Sequence, residues 1–151
     1  MILTIHYQKI FYWLLKAIRD VKILLDTHIF LWALAQPNRL GKKAKSLLKS
    51  RDNQLFLSAA SSWEISIKAS LDKLPLPETP DKYVSSRIAS LKITPLDVKL
   101  YHTFIVYQLP LHHRDPFDRL LIATAIAENI ALMSADEKFA NYDVNLISGL
   151  N

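Results

Sequence analysis

The chain contains no cysteine, which excludes disulfides, thiolate zinc sites and a cysteine nucleophile and fits a reducing compartment. Any bound metal must be held by oxygen or imidazole. It also lacks an apolar run of membrane length. The N-terminal stretch from Ile10 to Leu15 is closed off by Lys9 and Lys16, far short of the ~20 residues a span requires. No basic leader region and no small-x-small cleavage site accompany it, so the expectation is a soluble, cytoplasmic chain without membrane association. Internal repeats, low-complexity tracts and linkers are missing too. A length of 151 residues, 50% of them hydrophobic, suits one domain with one substantial core. Acids are the scarcer charge, 14 Asp and Glu against 19 Lys and Arg, for a net +5. That balance favours an anionic partner such as nucleic acid.

From Val21 onward, strand-like and helix-like stretches alternate. "VKILLD" is a short aliphatic strand ending in a carboxylate, and "THIFLWALAQP" continues as a helix as far as Pro37. "RLGKKAKSLLKS" sets Leu40, Ala44, Leu47 and Leu48 at helical spacing, with lysines on the other face. "NQLFLS" reads as a second strand. Ser58 then caps a helix whose stripe is Trp63, Ile67 and Leu71. After the proline-rich turn "PLPETPD" come a helix over Asp81 to Ser90 and a strand at "LKIT" that Pro95 breaks. A further helix carries the stripe Leu100, Phe104 and Tyr107, and the loop "LPLHHR" follows it. The apolar helix of "RDPFDRLLIATAIA" and strands at "NIALMSAD" and "YDVNLI" complete the chain. Such alternation predicts an α/β fold, a parallel sheet with helices on both faces.

Four acids fall where that architecture gathers ligands, at the C-terminal ends of strands and the N-terminal ends of helices. Asp26 ends the first strand, Glu64 lies in the second turn of the helix after the second strand, Asp118 opens the helix before "NIALMS", and Asp136 follows that strand. Capping offers a plainer account of some acids. Asp115 before Pro116 is an N-cap, Asp118 is then N3, Asp26 fits a turn, and Asp136 fits the cap of a short helix. Glu64 resists that account, since it sits beside Trp63 on an apolar helix and a buried acid needs a partner. Brought together, the four would repel unless a cation lay between them. All-carboxylate ligation selects a hard ion, Mg²⁺ or Mn²⁺, suited to hydrolysis of a phosphodiester.

"LLDTHIFLW", "SAASSWEISI", "DPFDRLLIATA" and "MSADEKF", in that order and spacing, resemble the PIN domain, specifically the VapC-like toxins of bacterial toxin–antitoxin pairs. The resemblance runs from Lys22 to about Ile147, so residues 21–151 are assigned to the PIN domain and residues 1–20 to an extension outside the pattern. One reading of that extension makes Val21 the translated start, through a GUG codon. The resemblance implies a three-layer α/β/α fold with a mostly parallel central sheet. It also implies metal-dependent endoribonuclease activity, a VapB-like antitoxin partner and a homodimer. Carried over by position, Asp26, Glu64, Asp118 and Asp136 form the acidic quartet. The resemblance makes Asp26 and Asp118 the expected direct ligands of Mg²⁺ or Mn²⁺, and the mechanism expected from it has Asp136 help to hold one or two ions and Glu64 orient a metal-bound water.

Other residues divide between two readings. Thr27 either approaches the metal or caps the first helix, and His28 is read as packed or bonded locally. His112, His113 and Arg114 either touch RNA phosphates or form a solvated loop. Trp13, Trp32 and Trp63 are read as core. Two other functional classes compete: a non-catalytic PIN-like module that binds RNA or protein, and a phosphatase or phosphoreceiver of similar topology. The second is disfavoured by "DTH", which puts His28 where a haloacid-type phosphatase wants a second acid, and by Asp26 standing alone where a receiver wants a pair.

Overall fold

A computed structural model describes residues 21–150 together with Ile10. The extension over residues 1–20, including Trp13, otherwise lies outside the described residues. Five strands, β1 (Lys22–Leu25), β2 (Gln54–Ser58), β3 (Thr94–Leu96), β4 (Ala131–Ser134) and β5 (Leu146–Ser148), form one sheet in the order β3-β2-β1-β4-β5. Every pairing is parallel, with Leu24 opposite Phe56 on one side and Leu132 on the other. Six helices connect them: α1 (Thr27–Ala35), α2 (Lys42–Lys49), α3 (Ala59–Ser70), α4 (Pro80–Leu91), α5 (Leu100–Gln108) and α6 (Pro116–Glu128).

Strand alternation splits the core in two. Ile23, Leu25, Leu55, Leu57 and Met133 point to one face, where α1, α2, α3 and α4 contribute Ile29, Phe30, Ala44, Ile65, Tyr83 and Val84. Leu24 and Leu132 point to the other, against Leu121, Ile122 and Ala125 of α6, with Ile105 and Val106 of α5 at the margin. This is the expected three-layer α/β/α arrangement, and both faces of the central strands are apolar because both are covered. No helix among the described residues is long and apolar enough to cross a membrane.

Two expectations are corrected. The strand expected at "LKIT" lies at Thr94–Leu96 and contains Pro95. It is the sheet's edge strand, and a proline, which cannot donate to a ladder, is tolerated there. Trp63 is not core: it is 60% exposed, and α3 buries Ala60, Ser61, Glu64 and Ile65 instead of the Trp63, Ile67, Leu71 stripe. The helix turns its small and acidic residues inward because it packs against α1 and α6, where the polar site lies. The stripe Leu100, Phe104 and Tyr107 faces solvent as well.

Candidate active site

Pairing of β1 with β4 places Asp26 beside the end of β4, where its backbone N–H donates to the Met133 carbonyl at 3.0 Å. Asp26 caps α1: its Oδ1 accepts from the N–H groups of His28 (2.6 Å) and Ile29 (3.3 Å). Its Oδ2 accepts from the hydroxyl of Ser134, whose oxygen in turn accepts the Asp136 N–H at 3.0 Å. One serine thus links the acids that follow two neighbouring strands. Burial raises the Asp26 pKa, and these hydrogen bonds only partly offset it.

Helix α6 runs back along the sheet before β4, so its N-terminus lies at the strands' C-terminal edge. Asp115 caps it, accepting from the N–H groups of Phe117 (2.8 Å) and Asp118 (3.2 Å), with Pro116 in the first turn. The capping role read for Asp115 is what the structure places there. Asp118 is left to face the site. Its pKa is pushed up to about 8, first by burial and then by the charges of Asp115, Asp26, Glu64 and Asp136. Asp136 caps the 3-10 turn Glu137–Asn141 through the Lys138 N–H at 2.9 Å. Burial raises its pKa, but the Lys138 N–H and His113 outweigh that and hold it below the ordinary value.

Glu64 is 3% exposed and does not line the cavity that the other three acids share, although its charge acts on Asp118. Its Oε2 accepts from the Thr27 hydroxyl at 2.6 Å, and its Oε1 is bonded by Lys68, one helical turn on. Thr27 Oγ1 also lies 3.0 Å from Ser61 Oγ. Thr27 therefore does not cap α1, since Asp26 does, and its hydroxyl instead bonds Glu64. Asp26, Asp118 and Asp136 line one cavity of about 320 Å³ with His28, Trp32, Arg39 and Ala135. Trp32 packs on the core and also borders this cavity, with the Arg39 guanidinium 3.9 Å over its ring. His28 is exposed, tilted against Trp32 with ring centroids 5.8 Å apart.

Of the loop residues, His112 and Arg114 are exposed and His113 is 7% exposed. The His113 Nε2 lies 2.8 Å from Asp136 Oδ2 and 3.2 Å from Asp118 Oδ2. The solvated reading does not describe His113, which is buried against two of the site acids. Sequence reasoning also missed Ser134, Lys68 and Arg119. Of these, Lys68 carried a signal, four residues after Glu64 and so on the same helix face.

A profile of the PIN domain family matches residues 23–145. The chain belongs to the PIN domain family. Among curated relatives, it is 27% identical over 123 residues to Ribonuclease VapC22 of Mycobacterium tuberculosis, covering 80% of this chain and 91% of that protein. It is 39% identical over 61 residues to Ribonuclease VapC16 of the same organism, covering 40% of this chain and only 43% of that one. Among solved structures, the fold matches a chain of VapBC2 from Rickettsia felis bound to a promoter DNA fragment, at TM-score 0.65 and 20% identity over 85% of this chain and 98% of that one. It also matches FitAcB from Neisseria gonorrhoeae, at TM-score 0.54 and 20% identity over 85% and 96% of the two chains. These neighbours agree with the PIN architecture derived above.

Proposed function

We propose that this PIN-domain chain is a metal-dependent endoribonuclease and the toxin of a toxin–antitoxin pair. The observation that carries the proposal is the gathering of Asp26, Asp118 and Asp136 around one cavity, with the buried Glu64 near enough for its charge to act on Asp118. Relatives named as VapC ribonucleases support the activity, and neighbours named as VapBC complexes support an antitoxin partner.

The donor set fits a divalent ion. It is all oxygen from carboxylates, without thiolate, and burial together with the charges of Asp115, Asp26, Glu64 and Asp136 pushes the Asp118 pKa up to about 8, a strain that a cation relieves. Asp26 and Asp118 would hold Mg²⁺ or Mn²⁺, with Asp136 beside them. Such a cation supplies an acidified water and charge stabilisation at the phosphoryl oxygens. Glu64, whose carboxylate has lone pairs beyond those taken by Thr27 and Lys68, orients the attacking water. Lys68 brings a positive charge to the same edge: burial lowers its pKa, but the hydrogen bond and charge of Glu64, followed by the charges of Asp115 and Asp118, outweigh that and raise it.

The chain is assigned to the cytoplasm, as its cysteine-free composition suits. A homodimer belongs to the same reading, and the exposed apolar side chains of Trp63, Leu100, Phe104, Tyr107 and Leu111 offer surface for a partner.

The test is cleavage of a structured RNA by the purified chain with Mg²⁺ or Mn²⁺, with EDTA and Asp26→Asn as paired controls. Cutting that both controls abolish supports the proposal. Binding without cutting, indifferent to metal and to Asp26→Asn, replaces it with a non-catalytic PIN-like module.

A further inference from the structure

Among the described residues, His113 is the one ring nitrogen within reach of two of the proposed site acids, and two roles could explain it. With Asp118 and Asp136 it forms a trio whose ligand atoms lie within 4.8 Å of one another, so it could be a metal ligand. Alternatively, it could orient the carboxylates without touching the metal. The hydrogen bonds around the ring decide between them.

The His113 Nδ1 accepts the backbone N–H of Asp115 at 3.1 Å. A nitrogen that accepts carries no proton, so the ring proton of the neutral tautomer sits on Nε2. That proton is directed to Asp136 Oδ2, 2.8 Å from Nε2 in a hydrogen bond, while Asp118 Oδ2 lies 3.2 Å from the same nitrogen without one. A ligating Nε2 would have to be bare. The displaced proton would then move to Nδ1 and collide with the Asp115 N–H, breaking the loop's junction with α6 beside the cap that orders Phe117 and Asp118.

Rotating the ring is no escape. The His113 backbone N–H donates to the Tyr142 hydroxyl at 2.7 Å, and its carbonyl accepts from Arg119 Nη1 at 3.2 Å. The ring edge packs on Phe139 with centroids 5.5 Å apart. Arg119 is itself pinned by the carbonyls of Pro110 (2.9 Å), Val106 (3.0 Å) and Leu109 (3.2 Å). The imidazole is therefore presented in one pose by a braced loop.

We propose that His113 is a positioning residue of the metal centre: its Nε2–H holds the Asp136 carboxylate, after β4, beside Asp118, at the start of α6, and sets the orientation of Asp136 without itself ligating the ion. The inference rests on the metal-site reading above. Groups that orient ligands from outside the coordination sphere typically contribute 10–100-fold to metal affinity.

The experiment titrates Mn²⁺ into wild type, His113→Gln and His113→Leu, with melting curves in EDTA to establish folding. Mn²⁺ electron-spin-echo spectra of wild type and His113→Gln accompany it. Gln keeps an N–H donor near the Nε2 position and Leu does not. The expected result is Mn²⁺ affinity within about threefold of wild type for His113→Gln and at least roughly tenfold weaker for His113→Leu. No nitrogen coupling that depends on His113 is expected in the spectra. A nitrogen coupling present in wild type and lost in His113→Gln makes His113 a ligand and overturns the inference. So does a folded His113→Leu that binds like wild type, or a folded His113→Gln that binds as weakly as Leu. Because the spectra and the Gln variant do not depend on Leu folding, a collapsed His113→Leu leaves the test intact. If wild type binds no Mn²⁺, the metal-site reading fails and the inference falls with it.

Discussion

Replacing Asp118 with Asn should make the metal-free protein more stable at alkaline pH while abolishing its response to metal. In the folded chain the Asp118 carboxyl titrates near 8, against 3.8 for an ordinary aspartate. A raised acid binds protons more tightly in the native state than in the unfolded one. Its contribution to stability is therefore present at low pH and is lost as pH climbs from about 4 to about 8. At about 1.4 kcal/mol per pH unit, the whole interval corresponds to an upper bound of about 6 kcal/mol. Relaxation of the site and solvent at its open edge reduce this to an expected ~2 kcal/mol. Asn is nearly isosteric and carries no charge, so it escapes the penalty. It forfeits a favourable helix-dipole interaction of about 0.5 kcal/mol.

The assay is thermal melting in EDTA at pH 5, 6.5 and 8. The two proteins should melt together at pH 5. By pH 8 the Asn variant should lead by roughly 3–6 °C, given a response of ~2–4 °C per kcal/mol at this chain length. Added Mn²⁺ should reverse the order, since wild type gains about 2.7 kcal/mol at a hundred times the dissociation constant and the variant gains little. Wild-type Mn²⁺ affinity should also fall as pH drops below 8, because a proton must then leave Asp118. A variant that melts below wild type at pH 8, or a gap that does not widen with pH, refutes the reasoning and makes Asp118 a structural helix residue.

Arg119→Met should cost about 3 kcal/mol, since the buried guanidinium serves the carbonyls of Val106, Leu109, Pro110 and His113 and all four lose their donor; urea unfolding measures it, and a loss under 1 kcal/mol would mean that water replaces the side chain. Glu128→Gln concerns the junction of α5 with α6. Hydrogen bonds from Tyr101, His102 and Lys99 hold the Glu128 pKa at about 2, against 4.5 for an ordinary glutamate. A depressed acid stabilises above its unfolded pKa and loses that contribution as pH falls from about 4.5 to about 2. The variant should be less stable than wild type by about 1 kcal/mol at pH 7 after solvent screening, with the difference vanishing near pH 2; an equal difference at both pH values points to packing instead.

The alternation of short apolar strands with helices made the α/β class legible, because a strand covered on both faces must read as a continuous apolar run. "VKILLD" and "NIALMS" do so, and they are adjacent central strands. Helix starts were legible for the same local reason: Asp115 followed by Pro116 is a cap whatever surrounds it, and the structure finds it capping. Edges and orientations were not. Pro95 looked like a strand breaker because the chain does not state which strand will be outermost. Trp63 looked like core because its spacing fits a stripe, whereas the direction α3 turns depends on what α1 and α6 offer it.

The four acids were visible one by one, each with a plain capping or turn alternative, and the structure shows that alternative and convergence are compatible: Asp26 and Asp136 cap helices and also line the cavity. The contacts that tune them were not visible: Ser134 was missed, and Thr27 and His113 were noted without their partners. Ser134, Thr27 and His113 act on partners 108, 37 and 23 residues away along the chain, and no local pattern encodes such pairings. By itself the sequence determined the layered class, the caps and the family, because periodicity, capping chemistry and motif order are properties of neighbouring residues. Only the tertiary structure decided which imidazole nitrogen faces the acids, which tryptophan reaches solvent and which acid has its pKa driven upward. Those depend on burial and on charges brought together from distant segments, and they exist only once the sheet has closed around the site.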